Sequence, residues 1–185
     1  IHVSTIIERY NGEILIGTSG HGLFSLHTRK GVLEAVQIEN LIPSYFINKI
    51  YEDKKGALWI VTSDKGIYRI GKDKQVKNYS CNNEMTWLSS LCEDKHGNIY
   101  VGSLQNGLFK YDQTTDSFIP ITYAPMPNLP IKTLYPTNQE EIYIGTDGNG
   151  MKIYDIRENK IREGALHITT FNFDKAKVHA ILKDK

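Results

Sequence analysis

A pattern recurs four times along this chain, and it restricts the possible folds more than any other feature. Ile14-Leu15-Ile16-Gly17-Thr18-Ser19-Gly20-His21-Gly22-Leu23-Phe24 aligns without gaps on residues 58–68, 99–109 and 142–152. The last glycine of each block falls at 22, 66, 107 and 150, giving spacings of 44, 41 and 43 residues. A second matched stretch precedes each block. Ile47-Asn48-Lys49-Ile50-Tyr51-Glu52-Asp53 corresponds to Leu88-Ser89-Ser90-Leu91-Cys92-Glu93-Asp94, with counterparts at 3–9 and 131–135. It returns a fifth time at Val178-His179-Ala180-Ile181-Leu182. The expectation is a chain that stops inside a fifth repeat.

Each repeat reads as four short strands. The first is the Ile-x-x-Ile-Tyr-Glu-Asp type. A turn follows, carried by Asn11-Gly12, Asp53-Lys54-Lys55-Gly56 or Asp94-Lys95-His96-Gly97. Asp bonds the turn backbone and Gly takes the positive φ of a tight hairpin. In the fourth repeat Thr137-Asn138-Gln139-Glu140 stands there without a glycine. The second strand, Leu58 to Thr62 and its equivalents, is β-branched and aromatic. The third is Gly66 to Ile70 or Gly107 to Tyr111, and the fourth is Val76 to Tyr79 or Ser117 to Ile119. No helical periodicity competes. Four antiparallel strands every ~40–45 residues is the arithmetic of a β-propeller blade, which stacks on neighbours to bury its faces. The predicted fold is therefore all-β. It has four blades at about 1–43, 44–84, 85–127 and 128–175, with the start of a fifth at 176–185, as part of a larger ring. Gly17, Gly102 and Gly145 follow the second strand's apolar core, where a side chain would meet the adjoining blade; Val61 replaces this glycine in the second repeat.

Composition narrows function by exclusion. The 185 residues carry 22 Lys+Arg against 21 Asp+Glu, a balance that disfavours nucleic acid as the main partner, since phosphate binding needs clustered cations. No apolar run approaches the ~18 residues of a membrane span. Cys81 and Cys92 are too few for a disulfide framework or a four-cysteine zinc site, though they suffice for one bridge. The six histidines show no metal-ligand spacing, so no metal or cofactor is expected.

The stretch Asp53 to Tyr68, Asp-x-x-Gly-x-Leu-Trp-Ile-x-Thr-x-x-x-Gly-Ile-Tyr, resembles the two-component regulator propeller repeat. Its siblings fit less strictly, with Tyr100 and Tyr143 at the Trp59 position. The Trp-Asp ending of WD40 repeats and the Gly-Gly pair of kelch repeats are both absent. In the family it resembles, such propellers form the extracytoplasmic sensor half of hybrid histidine kinases. The resemblance implies a periplasmic location, an oligosaccharide ligand, the rest of the same ectodomain as partner, and a homodimeric parent protein that signals across the membrane.

Meander connectivity carries a deduction about where a ligand would sit. Loops joining strands two and three share a face with the segments leading from one blade to the next, and in propellers that face surrounds the axis. It would hold Ser19, Gly20, His21, Asp64, Lys65, Gln105, Asn106, Asp147 and Asn149. The blade-to-blade segments would add Tyr45, Phe46, Trp87, Tyr123 and Met126. Amides, carboxylates and a lysine beside exposed aromatics suit a sugar, whose hydroxyls want forked partners and whose C–H face stacks on rings. Polar loop tips that are merely solvated are the bland alternative.

Other motifs read as architecture. Trp59, inside the second strand, is expected to pack between blades and not to serve as a sugar platform. The glycine-rich 17–22 and 145–150 loops precede strands, whereas a phosphate cradle needs a following helix. No Gly-x-Ser-x-Gly elbow exists. Asp53 and Asp94 recur with the turns and read as turn formers. His21 is the one histidine on the candidate face. The leading reading is a non-enzymatic sensor propeller. The alternatives are a propeller lyase acting on a small ester or polysaccharide, with His21 as base, and a protein-binding scaffold marked by a large apolar patch.

Overall fold

The computed structural model describes residues 1–79, 85–122, 128–164 and 173–182. Cys81, Tyr123 and Met126 lie outside them. The described strands form four four-stranded antiparallel sheets, each an up-and-down meander. The first holds β1 (His2–Glu8), β2 (Ile14–Ser19), β3 (Leu23–Arg29) and β4 (Val32–Ile38); the second holds β5 (Ile47–Glu52), β6 (Leu58–Thr62), β7 (Ile67–Ile70) and β8 (Val76–Tyr79). The third holds β9 (Leu88–Glu93), β10 (Ile99–Ser103), β11 (Gly107–Asp112) and β12 (Ser117–Pro120); the fourth holds β13 (Ile131–Pro136), β14 (Glu141–Thr146), β15 (Met151–Asp155) and β16 (Lys160–Glu163). The chain divides into two compact units, residues 1–83 with the first two blades and residues 84–185 with the other two.

Burial explains the strand patterns. Every residue of β6 and of β10 is buried, so these middle strands are apolar on both faces and read as continuous runs. The outer strands β8, β12 and β16 are mostly exposed or half-buried. In the first unit Leu15 and Leu23 of one blade pack on Ile47, Ile50, Leu58, Ile60 and Tyr68 of the next. In the second unit Cys92, Tyr100 and Leu108 pack on Ile131, Leu134, Ile142, Ile144 and Tyr154. Tyr100 meets Tyr154 edge-on at 6.4 Å, the between-blade role expected at this position. Trp59 is 1% exposed, which rules out a sugar platform. Its indole N–H donates to Asp53 at 2.8 Å, its ring stacks on Tyr79 at 5.8 Å, and the Arg69 guanidinium lies 5.5 Å away.

Blade joins within each unit repeat one device. The register of the inner strand slips by one residue, between Val3 and Thr5, Ile47 and Lys49, Leu88 and Ser90, and Ile131 and Thr133, leaving Ser4, Asn48, Ser89 and Lys132 at bulges. The Ser4 hydroxyl lies 2.9 Å from the Gly17 carbonyl of its own blade and 2.5 Å from the Ile47 carbonyl of the next. Ser89 does the same with Gly102 at 3.1 Å and Ile131 at 2.6 Å. Beside this staple sits the glycine of the second strand. A Cβ on Gly17 would fall 2.6 Å from Ile47 Cγ2, on Gly102 2.4 Å from Ile131 Cγ2, and on Gly145 2.7 Å from Val178 Cγ1. Val178 thus occupies beside the fourth blade the place that Ile47 and Ile131 take beside the first and third. Residues 178–182 form no strand, and Phe173–Lys175 make one 3-10 turn.

The first-to-second-strand turns follow the Asp-Gly reading. Asp53 Oδ1 accepts from the Ala57 amide at 2.8 Å, and Asp94 Oδ1 from His96 and Asn98 at 2.8 and 2.9 Å. Where the fourth turn lacks glycine, Glu140 itself takes φ +62°, close to the +79° of Gly56. A non-glycine residue in this region costs free energy, and here its side chain is held from three sides. Lys95 Nζ is 2.9 Å away, His96 Nε2 3.3 Å, and Arg157 Nε forms a shorter contact. Hydrogen bonds from Arg157, then Lys95 and His96, hold the Glu140 carboxyl well below its ordinary value near 4.5. A depressed carboxylate stabilises the fold fully above that ordinary value and loses its contribution as pH falls below it. E140Q is therefore expected to flatten the acid limb of a stability–pH curve between pH 5 and about pH 3. Parallel wild-type and E140Q curves from urea melts would assign the acid limb to other groups.

Candidate functional site

The loops joining second and third strands are built by a repeated hydroxyl. Thr18 Oγ1 donates to the Gly22 carbonyl and accepts from the His21 amide, at 2.8 and 3.1 Å. Thr62 does so with Gly66 and Lys65, and Thr146 with Gly150 and Asn149. Ser103 stands in for threonine in the third blade, accepting from the Gln105 and Asn106 amides at 3.0 Å each. These hydroxyl-bearing residues are at most 1% exposed. This hydroxyl brackets the backbone of each loop, and His21, Lys65, Gln105 and Asn149 at the tips are exposed.

Blade-to-blade segments meet these loops, as the meander predicts. In the first unit the Gly20 and Gly22 amides donate to the Tyr45 carbonyl at 2.8 and 2.9 Å, and the Ser63 amide donates to Phe46 at 3.1 Å. His21, Tyr45, Phe46, Asp64 and Lys65 therefore share one end of the two blades. In the second unit the Leu104 amide donates to the Trp87 carbonyl at 3.0 Å and the Asp147 amide to Pro130 at 2.9 Å. That places Trp87, Gln105 and Asn106 around one loop, and Asp147 and Asn149 on the next. Tyr45 is 63% and Trp87 55% exposed. Trp87 also holds φ +54°, a strained conformation for a bulky residue.

Not every candidate side chain is available. Ser44 Oγ donates to Asp64 at 2.6 Å, and Thr86 Oγ1 to Asn106 at 3.0 Å. Asp147 takes Lys177 Nζ at 3.0 Å with Lys132 Nζ at 3.9 Å. The hydrogen bond from Lys177 is the largest cause holding the Asp147 carboxyl below its ordinary value. By contrast, the side chains of His21, Lys65, Gln105 and Asn149 are exposed and have no partner among the described residues. Sequence reasoning missed Ser44, Thr86, Lys132 and Lys177. Only Lys132 carried a signal, standing where the aligned bulges have Ser4, Asn48 and Ser89.

It also missed a cavity of about 690 Å³ beside Tyr45. Gln37, Glu39, Asn40, Pro43 and Ser44 line it with Leu23 and Tyr45, and Gln37 Nε2 donates to the His21 carbonyl at 3.0 Å. Its size suits a small ligand, and it offers amides, a carboxylate and an aromatic ring. Among the described residues no group of three His, Cys, Asp or Glu side chains is placed to hold a metal ion.

The extracellular domain of BT3049, described as a hybrid two component system of B. thetaiotaomicron, has 20% identity and a TM-score of 0.76 over 98% of this chain and 24% of its own. That of BT4673 from the same organism has 22% identity and a TM-score of 0.73, over 98% and 25%. Virginiamycin B lyase from Staphylococcus aureus has 16% identity and a TM-score of 0.69, over 90% and 56%. At such identities the likeness is one of fold, and the chain spans about a quarter of the length of the two ectodomains. A search of curated protein sequences gave no match. The family model described as two component regulator propeller matches residues 41–64, from the segment entering the second blade to the loop after β6. Residues 41–64 thus match the two component regulator propeller repeat, within a chain of four-stranded β-propeller blades.

Proposed function

We propose that this chain is part of an extracytoplasmic, periplasmic sensor ectodomain that recognises an oligosaccharide and takes no catalytic part in its conversion. The observation that carries the reading is the cavity beside Tyr45. An exposed ring stands next to Gln37, Glu39 and Asn40, on the same end of the blades as the outward-facing His21 and Lys65. A ring to stack on and forked polar partners are what a sugar requires. The propeller repeat at 41–64 and the fold shared with ectodomains described as hybrid two component systems support the sensor role. Ligand binding would shift the arrangement of paired ectodomains and so bias a kinase beyond the membrane.

A thermal-shift screen of the intact ectodomain against a glycan panel tests this, with mass spectrometry of each glycan afterwards. A glycan at 100 times its dissociation constant should add roughly 2.7 kcal/mol of stability, and Tyr45→Ala should abolish most of the shift. No shift with any glycan would reject the carbohydrate reading. A second reading, a lyase with His21 as base, draws on the fold shared with virginiamycin B lyase. Recovery of a cleaved glycan, with cleavage lost in His21→Ala, would replace the sensor reading with that one.

A further inference from the structure

At the other end of the first two blades lies a cleft that the sensor reading does not use. It has a volume of about 540 Å³ and opens among the β1–β2, β5–β6 and β7–β8 turns. Its floor is Leu15, Leu58, Ile38, Leu41 and Ile70, all members or close neighbours of the unit's apolar core. The two carboxylates in its wall are already satisfied. Arg9 reaches Glu52 through Nη2 at 2.9 Å and Glu13 through Nη1 at 2.9 Å, and the Tyr10 amide donates to Glu52 at 2.7 Å. Lys54, Lys72 and Lys74 complete the wall. Among the described residues the ammonium groups of Lys72 and Lys74 have no carboxylate partner. Asp73, between them, lies outside the lining and accepts from the Gln75 amide at 3.1 Å.

The repeat does not demand these lysines. A cleft of about 700 Å³ lies between the third and fourth blades, also lined at the strand-turn end. There the outer hairpin carries Gln113, Thr114 and Thr115, and the wall includes Asp112 beside Lys110. Blade geometry makes the cavity in both units, but only the first has an apolar floor whose surplus charge is purely cationic. We infer that this cleft binds an amphiphilic carboxylate, its hydrocarbon part on the Leu15–Leu58–Leu41 floor and its anionic head between Lys72 and Lys74. A neutral alcohol of the same length would gain the floor but no ion pair. A polyanion would pair with the wall lysines but have no way to use the floor.

The test is calorimetric titration of the 185-residue chain with decanoate, below its aggregation concentration and at low salt. One saturable site is expected. K72E/K74E should weaken binding at least tenfold, decan-1-ol should bind at least tenfold more weakly than decanoate, and K110E in the other cleft should change nothing. Charge reversal at two exposed lysines leaves the core intact, and unchanged far-ultraviolet circular dichroism confirms folding. No saturable binding, or equal affinity in K72E/K74E, would overturn the inference. So would co-sedimentation with phosphatidylglycerol vesicles without decanoate saturation, which would assign the lysines to a membrane surface. The outcome is read separately from the glycan screen: the two cavities share Ile38 in their lining, but Lys72 and Lys74 line only this cleft and Tyr45 only the other.

Discussion

Trp59→Ala is expected to destabilise the first unit by about 3–5 kcal/mol, the range for emptying a large aromatic site in a packed interior. The indole is 1% exposed, stacks on Tyr79, lies beside Arg69 and donates to Asp53. The same pair can be probed more gently. Asp53→Ala takes the acceptor from two buried donors, the Ala57 amide and the Trp59 indole, at about 1–3 kcal/mol for each orphaned group. Trp59→Phe keeps a ring and removes the donor. If the Asp53–Trp59 bond ties the turn to the middle strand, the D53A and W59F effects are non-additive, with a coupling of about 0.5–3 kcal/mol from urea melts. Additive losses would mean that Asp53 acts only through the turn backbone and that Trp59 is simply bulk.

Gly102→Ala tests the blade join directly. Its Cβ would fall 2.4 Å from Ile131 Cγ2 and 3.0 Å from Ser90 Oγ. Ile131 is fully buried and branched at Cβ, so it has little freedom to swing away. Overpacking of this kind costs about 1–3 kcal/mol, and for a chain of this size each kcal/mol lowers Tm by about 2–4 °C. Ile131→Ala removes the obstructing methyl and should itself destabilise by opening a cavity. In that background Gly102→Ala should cost much less, or nothing. A full-sized penalty in both backgrounds would place the strain in the local backbone and not in the contact between blades.

The fold was legible to the extent that each residue answered to its own strand. Leu58–Thr62 and Val76–Tyr79 coincide with β6 and β8: the first is a β-branched and aromatic run bounded by turn residues, and the second was legible from its place as the outer strand of the repeat. The three second-strand glycines were legible as blade contacts because their recurrence had no other use. Glu140 shows the limit. Its left-handed backbone carries no signature in Thr137-Asn138-Gln139-Glu140, since what holds it comes from Lys95, His96 and Arg157 on other turns. The candidate face divides in the same way. That the loops and the linking segments share one end follows from meander connectivity alone. That Asp64, Asn106 and Asp147 are engaged by Ser44, Thr86 and Lys177 does not, because the linkers carry no repeat to align. The cavity beside Tyr45 is built from such a linker, so Gln37, Glu39 and Asn40 gave no earlier sign.

The seam between blades has a consequence for how such a chain can change length over generations. The seams at Gly17, Gly102 and Gly145 are made by a small set of parts at fixed offsets: a bulged inner-strand residue, the glycine near the end of the second strand, and a β-branched residue, Ile47, Ile131 or Val178, on the following segment. Duplicating or deleting one period of about 43 residues copies or removes a whole set, so the newly joined ends meet through the same kind of contact as the old ones. A shorter insertion within that period would separate the glycine from its isoleucine. Blade number is then an easily varied trait, whereas blade length is not, which fits three successive spacings that differ by no more than three residues.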